Sequence, residues 1–362
     1  MSEDDVERTL REALAARASG AVDDARPAPA PRFLTEPAPA RGHRTRWLAP
    51  LAAAVAVLGL VAGVLAAVRL GSDGGPTNAA AGRTAAPSLT GSGGPSPSPT
   101  RAVKSVHVRL FNADGATYGV GMPVVAIFSH KISNARPFVR ATRVTVNGRP
   151  VDAAWYFEQS VAGLGAMEAH LRPATYWPAH SKIRVSIATQ GLSAGKGMIF
   201  DDSLTLHFTT GARTIATVDD RTNYLTVTSD GTQLARMPVS LGAPKTPTLG
   251  GTKVIMAKQA KVRLKGPGYD EVLPYGLRLT YSGEYLVGVP SNRVNIERRI
   301  DTSNGCTDLL SGDAADLYRL LRIGDPVKYS GAPAGPVPVW DGFGDWNVPW
   351  PTWQAGGLLA TH

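Results

Sequence analysis

Thr302-Ser303-Asn304-Gly305-Cys306-Thr307-Asp308-Leu309 carries the single cysteine of this 362-residue chain. Small and polar residues on both sides fit a turn that presents a side chain to solvent. The segment Gly312 to Leu321 follows at once, with Ala315, Leu317, Leu320 and Leu321 on a helical repeat. The sequence therefore predicts a cysteine turn feeding a helix. Two readings of Cys306 stand side by side. It is either a presented nucleophile or a small buried hydrophobe, as free cysteines often are.

Short β-type runs lie upstream of the turn. Tyr224 to Thr228 and Gln233 to Val239 flank Asp230-Gly231, a hairpin pair, and Thr252 to Ala257, Gly276 to Thr280 and Tyr285 to Val289 continue the pattern. This is a mostly β domain with one or two helices. Further upstream, Val106 to Leu110, Arg143 to Val146, Lys182 to Ile187 and Ser203 to Phe208 alternate, and Asn147-Gly148 marks another hairpin. Several such strands over this length predict a small antiparallel sandwich of immunoglobulin type.

The N-terminal third has a different composition. Ser2 to Arg17 repeats Val6, Leu10 and Leu14 as a short amphipathic helix would, and a Pro- and Ala-rich tether follows. Leu48 to Val68 is free of charge, long enough as a helix to cross a bilayer, and too long and too far from the start for a signal peptide. Arg41, Arg44 and Arg46 precede it and place the N-terminus in the cytoplasm. Residues 70–102 are a Gly/Ser/Pro spacer that lifts the folded part off the membrane. The folded domains are thus expected outside the cell membrane, in an oxidising compartment where cysteines are normally paired. A lone thiol retained there points to chemistry.

The 38 Lys and Arg exceed the 29 Asp and Glu, giving a formal charge of +9 that favours anionic wall polymers or lipid headgroups. No zinc-ligand spacing, phosphate loop or basic-aromatic cluster is present, so neither nucleic acid nor a metal or cofactor is expected. Near the end, Trp340, Trp346, Trp350 and Trp353 are interleaved with Gly and Pro. They predict either a lid packed on the preceding domain or a sugar-stacking platform.

Several ordered stretches resemble the actinobacterial L,D-transpeptidases, membrane-anchored enzymes that crosslink peptidoglycan. Gly119-Val120-Gly121-Met122-Pro123 and Leu171 to Ala179 are similar to the family's immunoglobulin-like domain. Gly283-Glu284-Tyr285-Leu286, Ser303-Asn304-Gly305-Cys306 and Gly324-Asp325-Pro326-Val327 resemble its YkuD-type catalytic domain, and Asp341 to Trp350 its C-terminal segment. The resemblance implies a mainly β chain: a cytoplasmic segment (1–46), a transmembrane helix (47–69) and a linker (70–102), then an immunoglobulin-like β-sandwich (103–211), a catalytic domain with a helix after the cysteine (212–330) and a Trp-rich tail packed on that domain (331–362). It also implies that Cys306 attacks a carbonyl of a peptidoglycan stem peptide, releases D-alanine, and passes the acyl group from a thioester to a neighbouring amine. Backbone N–H groups of Gly305 and Cys306 would hold the oxyanion. Ser303 and Thr307 would touch substrate, and carbapenem β-lactams would acylate the thiol. Tyr269 falls where the family has a cleft tyrosine, or is an ordinary half-buried aromatic.

The pattern departs from the family at three places. Asn304 stands in place of the motif histidine, Asp308 in place of Asn or Arg, and Val287 where the family has its general-base histidine. Valine cannot accept a proton. The seven histidines are His43, His107, His130, His170, His180, His207 and His362, and none lies between 208 and 361. His207 is expected on a strand surface, and a terminal His362 makes a poor fixed base. Loss of the base costs several orders of magnitude in rate. Arg298 and Arg299 would acidify the thiol, whereas Asp301 and Asp308 would oppose ionisation. Two functions follow: an L,D-transpeptidase of impaired turnover, or a non-catalytic scaffold that holds stem peptides.

Overall fold

A computed structural model describes residues 103–266 and 269–361. The amphipathic segment, the apolar span 48–68, the spacer and His362 lie outside the described residues. Among the described residues no helix is long and apolar enough to cross a membrane.

Alternation builds the first domain. Along Lys182–Ile187 the odd positions Ile183, Val185 and Ile187 are buried and the even ones face outward. This strand is central in a five-stranded sheet with Ala116–Tyr118, Leu204–Thr210, Thr142–Val146 and Arg149–Pro150. A four-stranded sheet of Val108–Leu110, Val124–Phe128, Met167–Pro173 and Ala153–Glu158 faces it. Phe128, Phe138, Trp155, Phe157 and Phe200 fill the space between as one aromatic cluster. The run 106–110 expected as one strand is two. It breaks at His107, and Lys104–Val106 pairs instead with Met198–Phe200 in a small third sheet. Asn147 and Gly148 have φ of 51° and 80°, as a tight hairpin turn requires, and Asp230 and Gly231 repeat this at 47° and 86°.

In the second domain, Thr232–Pro238, Tyr224–Ser229, Thr214–Asp219, Pro326–Ser330 and Gly251–Val254 form one sheet. Ala257–Gly266, Tyr269–Arg278, Tyr285–Gly288 and Thr307–Leu309 form the other. The last two strands are parallel, so the chain between them must cross over, which it does through the short helix Arg293–Arg298. The predicted late helix spans Ser311–Leu320. Its buried face is Ala314 and Leu317, with Leu321 just beyond, rather than the expected Ala315 and Leu320.

The two domains meet backbone to backbone. Gly119 donates to Ile323 O at 2.8 Å and Gly121 to Gly324 O at 2.9 Å. A Cβ on Gly119 would sit 2.1 Å from Asp325 N, so only glycine fits. The C-terminal segment was expected on the catalytic domain; it straps both. Asn347 exchanges hydrogen bonds with the Thr252 N–H (2.7 Å) and O (2.9 Å) on one side. On the other, Trp353 donates to Ala154 O at 2.8 Å and stacks on Tyr156 at 4.7 Å. The Arg172 guanidinium lies over the rings of Trp346, Trp350 and Trp353, so those tryptophans serve packing and are not a sugar platform.

Gly119→Ala is expected to cost about 2–3 kcal/mol by denaturant unfolding, because the obstruction is backbone. Gly115→Ala, with open space but φ of +74°, should cost only about 1 kcal/mol.

Candidate active site

Cys306 is placed by a turn and the strand that leaves it. Gly305 has φ of +108°, a conformation that side chains resist, and this lets the chain reverse just before the cysteine. The Ser303 hydroxyl holds the reversal closed, accepting the Gly305 N–H at 3.1 Å and donating to Cys306 O at 2.6 Å. Ser303 itself is tied to Leu241 O and the Ala243 N–H, each at 2.9 Å. Parallel pairing of Leu286 with Thr307 and Val287 with Asp308 then fixes the strand.

The thiol is half-buried and packs against Val262, Leu273, Tyr285, Val287 and Val289, with Sγ 3.7 Å from Gly283 O. Val262 and Leu273 belong to the long hairpin, which bends over this face. Burial pushes the Cys306 thiol up to about 12, and Asp308 adds to the push. A backbone hydrogen bond from Tyr285 and the charge of Lys253 pull downward, but less. On the order of one thiol in 10⁵ is then ionised at pH 7. The arginines 298 and 299 do not figure among the groups that set this acidity; Asp308 does.

Val287 is fully buried on the face that carries the sulfur, and no described histidine lies in this domain. Asp308 is two residues along the same strand, on the same face as Cys306. It is buried, accepts a 2.8 Å hydrogen bond from Asn292, and its carboxyl is pushed up to about 7 by burial. A carboxyl in that range can exchange a proton near neutral pH.

The other expected site residues divide. Asn304 is exposed on the turn beside the sulfur. The Gly305 N–H, expected to hold an oxyanion, is engaged by the Ser303 hydroxyl. Ser303 is 7 % exposed, with its hydroxyl consumed inside the turn, so it positions the cysteine rather than touching substrate. Thr307 is a correction of the same kind: 1 % exposed, it bonds Tyr329 OH at 2.7 Å and faces the interior. Tyr269 is half-buried near the hairpin tip, with its ring over Gly266 and two ladder rungs beyond Leu264, which packs on the cysteine cluster.

One pair escaped the sequence reading. Lys253 is fully buried, pairs with Glu284, and has its Nζ 3.9 Å from the centroid of the Tyr329 ring. Glu284 also accepts the Leu249 N–H at 2.8 Å and backs onto Gly305. Burial lowers the Lys253 pKa, and Glu284 opposes that shift. The pair braces the turn from behind. A lysine beside the apolar run Val254-Ile255-Met256 is the only sequence sign of it, and its partner lies 31 residues away.

Comparison with known proteins agrees with this layout. Residues 98–193 match a bacterial Ig domain and residues 213–328 an L,D-transpeptidase catalytic domain. L,D-transpeptidase 2 of Mycobacterium tuberculosis is 31% identical over 257 residues, which are 68% of this chain and 61% of that protein. L,D-transpeptidase 5 of the same species is 28% identical over 71% of this chain and 57% of its own length. The chain therefore spans about three fifths of these relatives. Among solved structures, an LD transpeptidase in complex with imipenem superposes with a TM-score of 0.52 at 26% identity, covering 61% of this chain and 97% of that one. An L,D-transpeptidase from Mycobacterium smegmatis gives 0.50 at 28% identity, covering 62% and 99%. The chain belongs to the L,D-transpeptidase family, with a bacterial Ig domain followed by the family's catalytic domain.

Proposed function

We propose that this chain is a cysteine acyltransferase of the cell wall that crosslinks peptidoglycan stem peptides through a thioester on Cys306. One observation carries the reading: the only thiol of the chain sits half-buried on a glycine turn within an L,D-transpeptidase catalytic domain. Sγ attacks the donor carbonyl and expels the terminal amino acid. The thiol proton passes to Asp308 and on to the departing amine. An acceptor amine then attacks the thioester and regenerates the thiol. Asp308 takes the role that Val287 cannot, and turnover is slow because the resting thiol is protonated. The uncharged run 48–68 and the arginines before it support a single membrane crossing with the N-terminus inside and the domains in the wall.

The reading is tested by intact-protein mass spectrometry with imipenem, the compound in the complex of the similar enzyme. The wild type should gain one adduct slowly and Cys306→Ala none. Val287→His should speed the reaction about 100-fold, the scale of a restored base. A wild type and a Val287→His variant that both stay unmodified would leave the scaffold reading instead.

Acidity is read separately, by iodoacetamide alkylation of the lone thiol. Because the folded thiol ionises near 12, its rate should climb about tenfold per pH unit with no plateau below pH 10.5. Asp308→Asn removes a charge that opposes ionisation, so alkylation should quicken several-fold while acylation by imipenem slows. If both reactions quicken, Asp308 only repels the thiolate and carries no proton.

A further inference from the structure

The strand Met167–Pro173 turns Glu168, His170 and Arg172 to one face and Met167, Ala169 and Leu171 to the sandwich core. Such a polar face is ordinarily exposed. Here it is covered by the C-terminal strap, and Glu168, His170 and Arg172 are at most 2 % exposed. Cross-strand pairing sets Glu158 directly opposite Glu168. Like charges in that arrangement repel unless something lies between them.

We propose that Glu158, Glu168 and His170 form a binding site for a divalent transition-metal cation, with zinc the best fit, at the junction of the first domain and the C-terminal strap. Their three ligand atoms lie within 4.8 Å of one another, and among the described residues they are the only such group able to hold a metal. His170 is fully buried, and its Nε2 has no hydrogen-bond partner although Glu158 Oε1 (3.4 Å) and Glu168 Oε2 (3.7 Å) both lie close to it. Those spacings are near the roughly 3.3 Å between neighbouring N and O ligands of a tetrahedral zinc ion. They are too long and poorly aligned for a proton to serve both carboxylates.

The outer shell is already in place. His170 Nδ1 bonds Asp345 Oδ1 at 2.9 Å, and an imidazole that keeps its proton on Nδ1 for this bond would offer Nε2 as a lone pair to a metal. The Ser160 hydroxyl donates to Glu168 Oε1 at 2.5 Å, and Oε2 is the oxygen that faces His170 at 3.7 Å. The Tyr281 hydroxyl, also buried without a partner, is close enough to feel both glutamates. Three carboxylates gather round the His170 imidazole against the single guanidinium of Arg172, an excess of acid that a divalent cation would offset as it displaced their protons. The strap residue Asp345 thus becomes part of a metal staple between the domain and the C-terminal segment. Nothing in this depends on acyl transfer at Cys306.

The test uses the full chain, tag removed, stripped with chelator, and titrated with zinc chloride against a chromophoric competitor. Cys306→Ala is run in parallel because a thiol is the other plausible zinc ligand. One zinc per chain is expected in both, with a thermal midpoint that rises on zinc addition and falls back with chelator. His170→Gln and Glu158→Gln should each weaken binding at least 100-fold. The proposal is overturned if the wild type takes up under about a tenth of an equivalent, or if binding survives the two substitutions, whatever Cys306→Ala does. The wild-type titration can overturn the proposal even where a variant fails to fold.

Discussion

Parallel pairing of Thr307–Leu309 with Tyr285–Gly288 is the constraint from which the catalytic face follows, because a parallel neighbour cannot be reached by a tight turn. The chain must leave Gly288, cross through Arg293–Arg298 and return, and the return is where the glycine turn delivers Cys306. Once the ladder is set, alternation decides the rest. Cys306 and Asp308 share a face with Tyr285 and Val287, while Thr307 and Glu284 point to the other side. There Thr307 meets Tyr329 and Glu284 meets Lys253, so the reactive turn is braced by polar groups it cannot use.

The electrostatics of the sulfur come from that same geometry. An apolar wall disfavours the thiolate, and the nearest strand neighbour on its face is an acid. Lys253, the one cation that figures in its surroundings, is largely neutralised by Glu284. An imidazole at 287 would supply a base and a counter-charge together; valine supplies neither. What remains is a thiol held in position more firmly than it is ionised.

The C-terminal strap does for the first domain what the crossover does for the second. It turns an outward polar strand face into an interior, and it brings Asp345 to His170 across 175 residues of sequence. A buried, acid-rich face needs compensation by protons, by Arg172 or by an ion. It also commits the tryptophans, whose rings enclose the Arg172 guanidinium rather than facing a glycan.

The order of the two folded domains, the sandwich, both Asn-Gly and Asp-Gly hairpins, the helix after the cysteine and the turn that carries the lone thiol were all written locally, in alternation, turn residues and short motifs. The absence of a histidine at position 287 was equally plain, since a missing side chain needs no partner to be recognised. Tertiary structure alone decided that Ser303 and Thr307 face inward, that Lys253 and Glu284 lie behind the turn, and that Glu158, Glu168, His170 and Asp345 gather under a strap. Each of these depends on which chains lie side by side after folding. Periodicity assigns a residue to a face, but only packing says whether that face meets water, an apolar wall or another charge.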